Sequence, residues 1–244
     1  MRPIQRYLRR FHAPAFVTQT PSQTTRDELA GLGFAHPIVW GRGVDTRLFH
    51  PERHNEERRA ALGANANSPI VLHVSRLAVE KDVATLVSAF RLAHAALGEC
   101  ARFVIAGDGP EGGMVRAALP FVTHYGFIDR ARLAELYADS DLFVFPSPTE
   151  TCGLVVLEAM ASALPVITSD QGGVRENVRN GINGMMVPAG QATLFAAATA
   201  TLVQDRSRRS AMASAARAFA VARDWEREID ALEPIYRDAI AAVA

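Results

Sequence analysis

Cysteine is scarce in this chain of 244 residues: Cys100 and Cys152 are the two that occur. Two separated thiols build neither a disulfide framework nor a metal cluster, so a reduced, cytoplasmic setting is expected and no metal site. Cys100 reads as a small residue at the edge of the core. An excess of charge is also absent. Lys and Arg total 26, Asp and Glu total 26, and the formal net charge is zero. That excludes a protein that binds nucleic acid through bulk charge. No apolar run reaches the roughly 20 residues that cross a bilayer. Residues 1–12 carry Arg2, Arg6, Arg9 and Arg10 but no apolar h-region, which excludes a secretory signal. They form either an exposed helix face or a basic helix lying on the inner face of an anionic membrane.

What is present is a composition 49% hydrophobic and 21% charged, which suits a globular chain with one large core or two smaller ones. Strands alternate with helices. Ala15–Thr20 reads as a short strand, Pro21 to Leu32 as a helix ended by Gly33, and Pro37–Trp40 as a second strand. Residues 41–68 have little apolar periodicity and read as a linker with one short helix. A denser stretch follows, with strands at Ile70–Val74, Arg102–Ala106, Val122–Gly126, Leu142–Phe145, Pro165–Thr168 and Gly184–Val187. Helices lie between them, among them Lys81–Leu97, Asp129–Ala138 and Gly153–Ala163, and more helices fill the chain from Ala192 to Val243 with breaks near Asp205 and Asp224. Six strands with right-handed crossovers make an α/β domain, a Rossmann-like doubly wound parallel sheet. Ligands of such sheets sit at the carboxyl ends of the strands, so the loops after Val74, Ala106, Gly126, Phe145 and Thr168 matter most.

Glu150-Thr-Cys-Gly-Leu-Val-Val-Leu-Glu158 follows one of these strands. Gly153 opens a helix, and the N–H groups of Gly153, Leu154 and Val155 form an anion site there. Two carboxylates flank it, each able to accept hydrogen bonds from sugar hydroxyls. The plainer alternative is a capping Glu150 and a solvated Glu158. Ser75-Arg-Leu-Ala-Val-Glu-Lys81 places Arg76 and Lys81 on the same sheet edge, where two cations would clamp a diphosphate. Gly107-Asp-Gly-Pro-Glu-Gly112 matches the G-x-G-x-x-G fingerprint, with Asp129 about 20 residues on, and raises a nicotinamide-dependent oxidoreductase as a rival. The strand before it is the second of its domain, which argues for a tight turn instead. Gly172 and Gly173, with Glu176, are either backbone donors to a ligand or a simple turn. His73 reads as core and His124 as a packed strand residue, neither placed beside a serine or cysteine nucleophile together with a carboxylate.

Taken together these stretches resemble the retaining glycosyltransferases of group 1 type, built from two facing Rossmann-like domains, the GT-B architecture. Glu150–Glu158 looks like the family's E-x7-E signature, and Ser75-Arg76 with Glu80-Lys81 like its phosphate clamp. Phe103–Pro110 and Asp141–Ser147 match its strand ends. Tyr7–His12 and Val39–Thr46 resemble GDP-mannose-dependent α-mannosyltransferases and sulfoquinovosyltransferases. The resemblance implies that the chain transfers a hexose, expected to be mannose from GDP-mannose, to a lipid or glycan acceptor. A UDP-sugar is the alternative donor. Arg76 and Lys81 would neutralise the diphosphate without a metal or cofactor, and Glu150 would contact the transferred sugar. Gly153, Leu154 and Val155 would bind sugar and phosphate, Glu158 the ribose, and Phe127 and Ile128 the base. Ser75 and Gly107 would complete the donor site. Cys152 departs from the family, which carries Phe there.

Family members run to nearly twice this length. The resemblance therefore implies that 1–43 is a remnant of an N-terminal acceptor domain, 44–68 an interdomain linker, 69–223 the donor-binding domain and 224–244 a crossover helix. It also implies poor activity alone, exposed apolar surface that favours self-association, and contact with a membrane surface. The alternative is a nucleotide-sugar-binding subunit that needs a separate chain for the acceptor.

Overall fold

The computed structural model describes residues 3–65 and 67–242. Arg2 and Val243, at the ends of the expected basic and C-terminal helices, lie outside them. The chain opens with helix α1 (Pro3–His12), strand β1 (Thr18–Thr20), helix α2 (Gln23–Gly31) and strand β2 (Pro37–Val39). The Ser22 hydroxyl accepts from Thr25 N–H and starts α2, and Gly33, at φ 77°, turns the chain beyond its end. β1 and β2 pair in parallel. Helix α3 (Glu56–Ala61) interrupts the stretch that follows, with a 3-10 turn at Pro51–Arg53 before it.

The larger unit runs β3 (Ile70–Val74), α4 (Val83–Leu97), β4 (Arg102–Ala106), α5 (Gly112–Ala118), β5 (Thr123–Gly126), α6 (Arg130–Ala138), β6 (Leu142–Phe145), α7 (Leu154–Ala161), β7 (Val166–Ser169) and β8 (Gly184–Val187). Four helices close the chain: α8 (Ala192–Gln204), α9 (Arg206–Val221), α10 (Trp225–Asp230) and α11 (Leu232–Ala241). The sheet order is β5-β4-β3-β6-β7-β8, all parallel. This is the expected doubly wound sheet, and its order reverses between β3 and β6.

Strand alternation divides the core in two. Val71, Phe103, Ile105, Leu142, Val144 and Ile167 pack on one face with α4 and α8. Ile70, Leu72, Val104, Phe143 and Phe145 pack on the other with α6, α7 and α9. Burial on both faces explains why these strands read as unbroken apolar runs.

The front segment is stitched to this unit by polar contacts. The Glu176 carboxylate accepts from Gln23 N–H at 2.9 Å, Thr24 N–H at 2.8 Å and the Thr24 hydroxyl at 2.7 Å. Burial pushes its pKa up, but these bonds outweigh burial and leave it below the ordinary value. Trp40 Nε1 donates to Glu228 O at 2.7 Å, and the Trp40 and Trp225 rings lie 6.3 Å apart. On α1, Ile4, Tyr7 and Phe11 are exposed, as are Tyr236 and Ile240 on α11. Among the described residues no helix is long and apolar enough to cross a membrane.

A candidate active site at the sheet's switch point

β3 pairs with β4 over five residues but with β6 over only two, Val71–Leu142 and Leu72–Phe143. The loops beyond them leave a crevice. It holds a cavity of about 230 Å³ whose lining includes Ser75, Arg76, Lys81, Glu150, Gly153, Leu154 and Val155. Seven of the residues expected at the site thus meet there. A larger cavity, about 660 Å³, lies along one side of α1 between Arg6, Tyr7, Arg10 and Phe11. It is flanked by a single helix and has no carboxylate in its lining, so the switch-point cavity is the better candidate.

The loop after β3 ends in a 3-10 turn at Val79–Lys81, not in the expected helix. Asp82 sits in the left-handed region at φ 53° and its carboxylate accepts from Thr85 N–H, so α4 begins only at Val83. That break leaves Lys81 on the loop, where its ammonium pairs with the Glu150 carboxylate. Arg76 is mostly exposed, its guanidinium 3.8 Å from Glu80. The loop rests on the turn after β4. Leu77 N–H donates to Asp108 O at 3.0 Å and Glu111 N–H to Leu77 O at 2.9 Å. A Cβ on Gly107 would stand 1.9 Å from Ser75 O, and one on Gly109 would stand 2.4 Å from Leu77 O. These glycines are filled by the neighbouring loop's backbone. They leave no room for a pyrophosphate, which disposes of the dinucleotide reading, and Gly107 is not in the cavity lining.

The loop after β6 is held from below. Gly173 N–H donates to Glu150 O at 2.7 Å, and a Cβ on Gly173 would meet Thr151 O at 1.9 Å. Gly172 lies under Pro148 O and Glu150 O. The Gly172-Gly173 pair therefore supports the Glu150 loop, and the Gly173 N–H is already committed to it. The Thr149 hydroxyl donates to Glu80 O at 2.7 Å and ties this loop to the one after β3. Asn177 Nδ2 donates to Cys152 O at 2.8 Å.

Gly153 stands at the N-cap of α7 with φ 66° and no side-chain cap. The first of the N–H groups here that bonds back is Val156, to Gly153 O at 3.0 Å. Of the three N–H groups expected to be free, Leu154's faces the Cys152 sulfur. Gly153 and Val155 line the cavity. Burial, first of all, pushes the Cys152 thiol above its ordinary value. Cys100, expected at the core edge, is exposed instead at the end of a 3-10 turn.

Glu158 is neither solvated nor in the cavity. It faces α6, where the Tyr137 hydroxyl lies 3.5 Å from Oε2 and 3.2 Å from Val155 O. Burial raises its pKa to about 7, against the pull of Arg130 and Tyr137. Phe127, 78% exposed, and Ile128, packed against the core, lie on the loop that leads into α6. His124 is half-buried, with Nε2 3.4 Å from Leu119 O.

His73 lies in the core, as expected, and has two polar partners there. Ser75 Oγ lies 2.7 Å from its Nε2 and Val144 O 2.8 Å from its Nδ1. The available signal was the spacing: residues two apart on a strand share a face. Glu176, read with the Gly172-Gly173 turn, accepts from the N-terminus of α2 instead of facing the cavity.

The family model described as glycosyl transferases group 1 matches residues 54–219. A GDP-mannose-dependent alpha-mannosyltransferase of Mycobacterium tuberculosis is 36% identical over 227 residues, which cover 93% of this chain and 57% of that protein. The sulfoquinovosyl transferase SQD2 of Arabidopsis thaliana is 33% identical over 236 residues, 92% of this chain and 45% of that one. The crystal structure of Anabaena Alr3699/HepE in complex with UDP superposes with a TM-score of 0.86 at 24% identity, over 96% of this chain and 67% of that chain, and shares the fold. The chain spans about half the length of the curated relatives it matches.

Proposed function

The chain belongs to the group 1 glycosyl transferases, and on that premise we propose that the switch-point cavity takes the diphosphate and sugar of a nucleotide-sugar donor for hexosyl transfer with retention. The observation that carries this is the pairing of Lys81 with Glu150 across the crevice, beside Arg76 and the open N-terminus of α7. Lys81 exchanges the carboxylate for a phosphate oxygen, and Arg76 swings in from solvent to complete the clamp. Both stabilise the negative charge that builds on the leaving diphosphate, with no metal. The released Glu150 accepts hydrogen bonds from the sugar hydroxyls. The N–H groups of Gly153 and Val155 add backbone donors for the phosphate. Glu158, one turn along α7 and facing α6, is set for the ribose, and the Phe127–Ile128 loop for the base.

The donor is GDP-mannose in this reading, supported by the relatives named for it, and the acceptor a lipid or glycan. A UDP-sugar is the second reading, supported by the related fold that holds UDP. The exposed apolar residues of α1, with Arg6, Arg9 and Arg10 on the same helix, support contact with an anionic lipid surface.

A thermal-shift series with GDP-mannose, UDP-glucose and ADP-glucose tests the donor site. At a hundred times Kd a ligand stabilises by about 2.7 kcal/mol, and GDP-mannose is expected to give the largest shift, unchanged by EDTA. No shift with any donor overturns the reading. So does an unchanged shift in Lys81→Ala. Transfer to lipid extracts by this chain alone, set against transfer with a second chain that supplies an acceptor domain, separates an enzyme from a donor-binding subunit.

A further inference from the structure

His73 is 1% exposed and immediately precedes Val74, which lines the cavity. Its Nδ1 lies 2.8 Å from Val144 O, and a carbonyl oxygen only accepts, so Nδ1 carries the proton. Burial keeps the ring neutral, with its pKa lowered to about 4. Nε2 is therefore bare and accepts from the Ser75 hydroxyl at 2.7 Å. This commits the single Ser75 proton to the ring, away from Arg76 O at 3.1 Å. The place is as telling as the bonds. The β3–β6 ladder stops at Leu72–Phe143, and the next residue on each strand is His73 and Val144. The imidazole bridges the strands where the backbone ladder ends. Its ring also stacks on Phe145 of the cavity wall, 5.9 Å between centroids.

We propose that His73 is a positioning residue of the donor site: by joining Val144 to Ser75 it fixes the spacing between the loop that carries Arg76 and Lys81 and the strand that leads to Glu150. This rests on the diphosphate clamp proposed above. His73 itself touches no ligand and acts through Ser75.

The test is a double-mutant cycle read by calorimetric titration with GDP and with UDP, with the melting temperature of each unliganded variant measured alongside. His73→Phe keeps the ring stack and loses both hydrogen bonds. It is expected to weaken nucleotide binding roughly tenfold, the worth of one to two hydrogen bonds. Ser75→Ala is expected to weaken binding less. The double variant should bind no more weakly than His73→Phe alone, because both changes act through one bond. His73→Asn, whose amide nitrogen takes the place of Nδ1, keeps the Val144 bond and should behave like Ser75→Ala. Additive losses in the double variant overturn the proposal. So does a His73→Phe variant that melts earlier yet binds with unchanged affinity, since that is a structural role alone. If His73→Phe does not fold, Ser75→Ala carries the test, and unchanged affinity there overturns the proposal. Lys81→Ala separates the two readings. If it binds as the wild type does, the clamp fails and this inference falls with it. If it abolishes binding while His73→Phe does not weaken it, only this inference falls. A wild-type chain that binds neither nucleotide overturns both.

Discussion

After β4 the chain turns through Gly107-Asp108-Gly109, and after β6 it turns through a loop that ends at Gly153. Both turns lie at the carboxyl edge of one sheet, and both lead into a helix. The first is closed, its glycines packed against Ser75 O and Leu77 O. The second is open, with Gly153 on a cavity wall. The carboxylates differ in the same sense. Asp108 is held below its ordinary pKa, first by the Gly109 N–H and then by Arg116. Glu158, in the helix of the open turn, is held near 7 by burial. One turn has satisfied itself and the other keeps unspent donors and a costly acid. The topology explains the contrast: the open turn stands beside the β3–β6 reversal, and the closed one is a strand away.

The contrast is broken most severely at Gly107. Gly107→Ala forces a Cβ to within 1.9 Å of Ser75 O at φ 116°, a backbone against a backbone. A loss of about 3 kcal/mol or more is expected in denaturant unfolding. A loss under 1 kcal/mol would show that the turn is not closed.

Glu158→Gln tests the cost in the open turn. The native pKa of about 7 exceeds the ordinary 4.5, so between those values the folded chain holds a proton that the unfolded chain has released. Stability then falls as pH rises from about 4.5 to 7. The variant should match the wild type near pH 4.5 and exceed it at pH 8, by no more than about 3 kcal/mol. Parallel pH profiles for the two proteins would remove the cost. The same substitution should weaken donor binding at pH 8, which separates stability from function.

Gly153→Ala is milder for the fold. Its Cβ meets side chains and no backbone, the nearest being Val174 at 2.5 Å, and φ 66° costs alanine about 1–2 kcal/mol. It should lose more donor affinity than its melting temperature suggests, whereas Gly107→Ala should lose fold first. The smallest effect is a gain. Gly113 lies in α5 with nothing near its absent Cβ, so Gly113→Ala should stabilise by about 0.5–1 kcal/mol. A destabilised Gly113→Ala would mean that α5 is not packed as described.

Much of this was legible in the sequence, because buried parallel strands advertise themselves. Ile70–Val74, Arg102–Ala106, Leu142–Phe145 and Gly184–Val187 form over the residues their apolar runs mark. The sheet edge on which Arg76, Lys81, Glu150 and Gly153 meet followed from the parallel direction of the strands, which puts the loops at their carboxyl ends on one edge. What local sequence could not carry was contact between distant segments. The reading of Gly172 and Gly173 stayed open between ligand donors and a simple turn because the carbonyls that crowd them come from residues 148–151, more than 20 positions earlier. Lys81 read as helical because its run is continuous, and only the left-handed Asp82 breaks it. Ser75 and His73 were read separately although their spacing of two places them on one strand face.

The Lys81–Glu150 pair has a kinetic consequence. With the Lys81 ammonium matched to a carboxylate, and Arg76 beside Glu80, the two loop cations of the crevice are already paired. In the clamp proposed above, a diphosphate approaching through solvent meets two cations whose charge is already offset, and the encounter rate should vary weakly with ionic strength. On that proposal, the attraction of Lys81 is gained at contact, when one anion is traded for another. Recognition is thereby moved from capture to residence, and changes in the crevice should be felt in how slowly the ligand leaves.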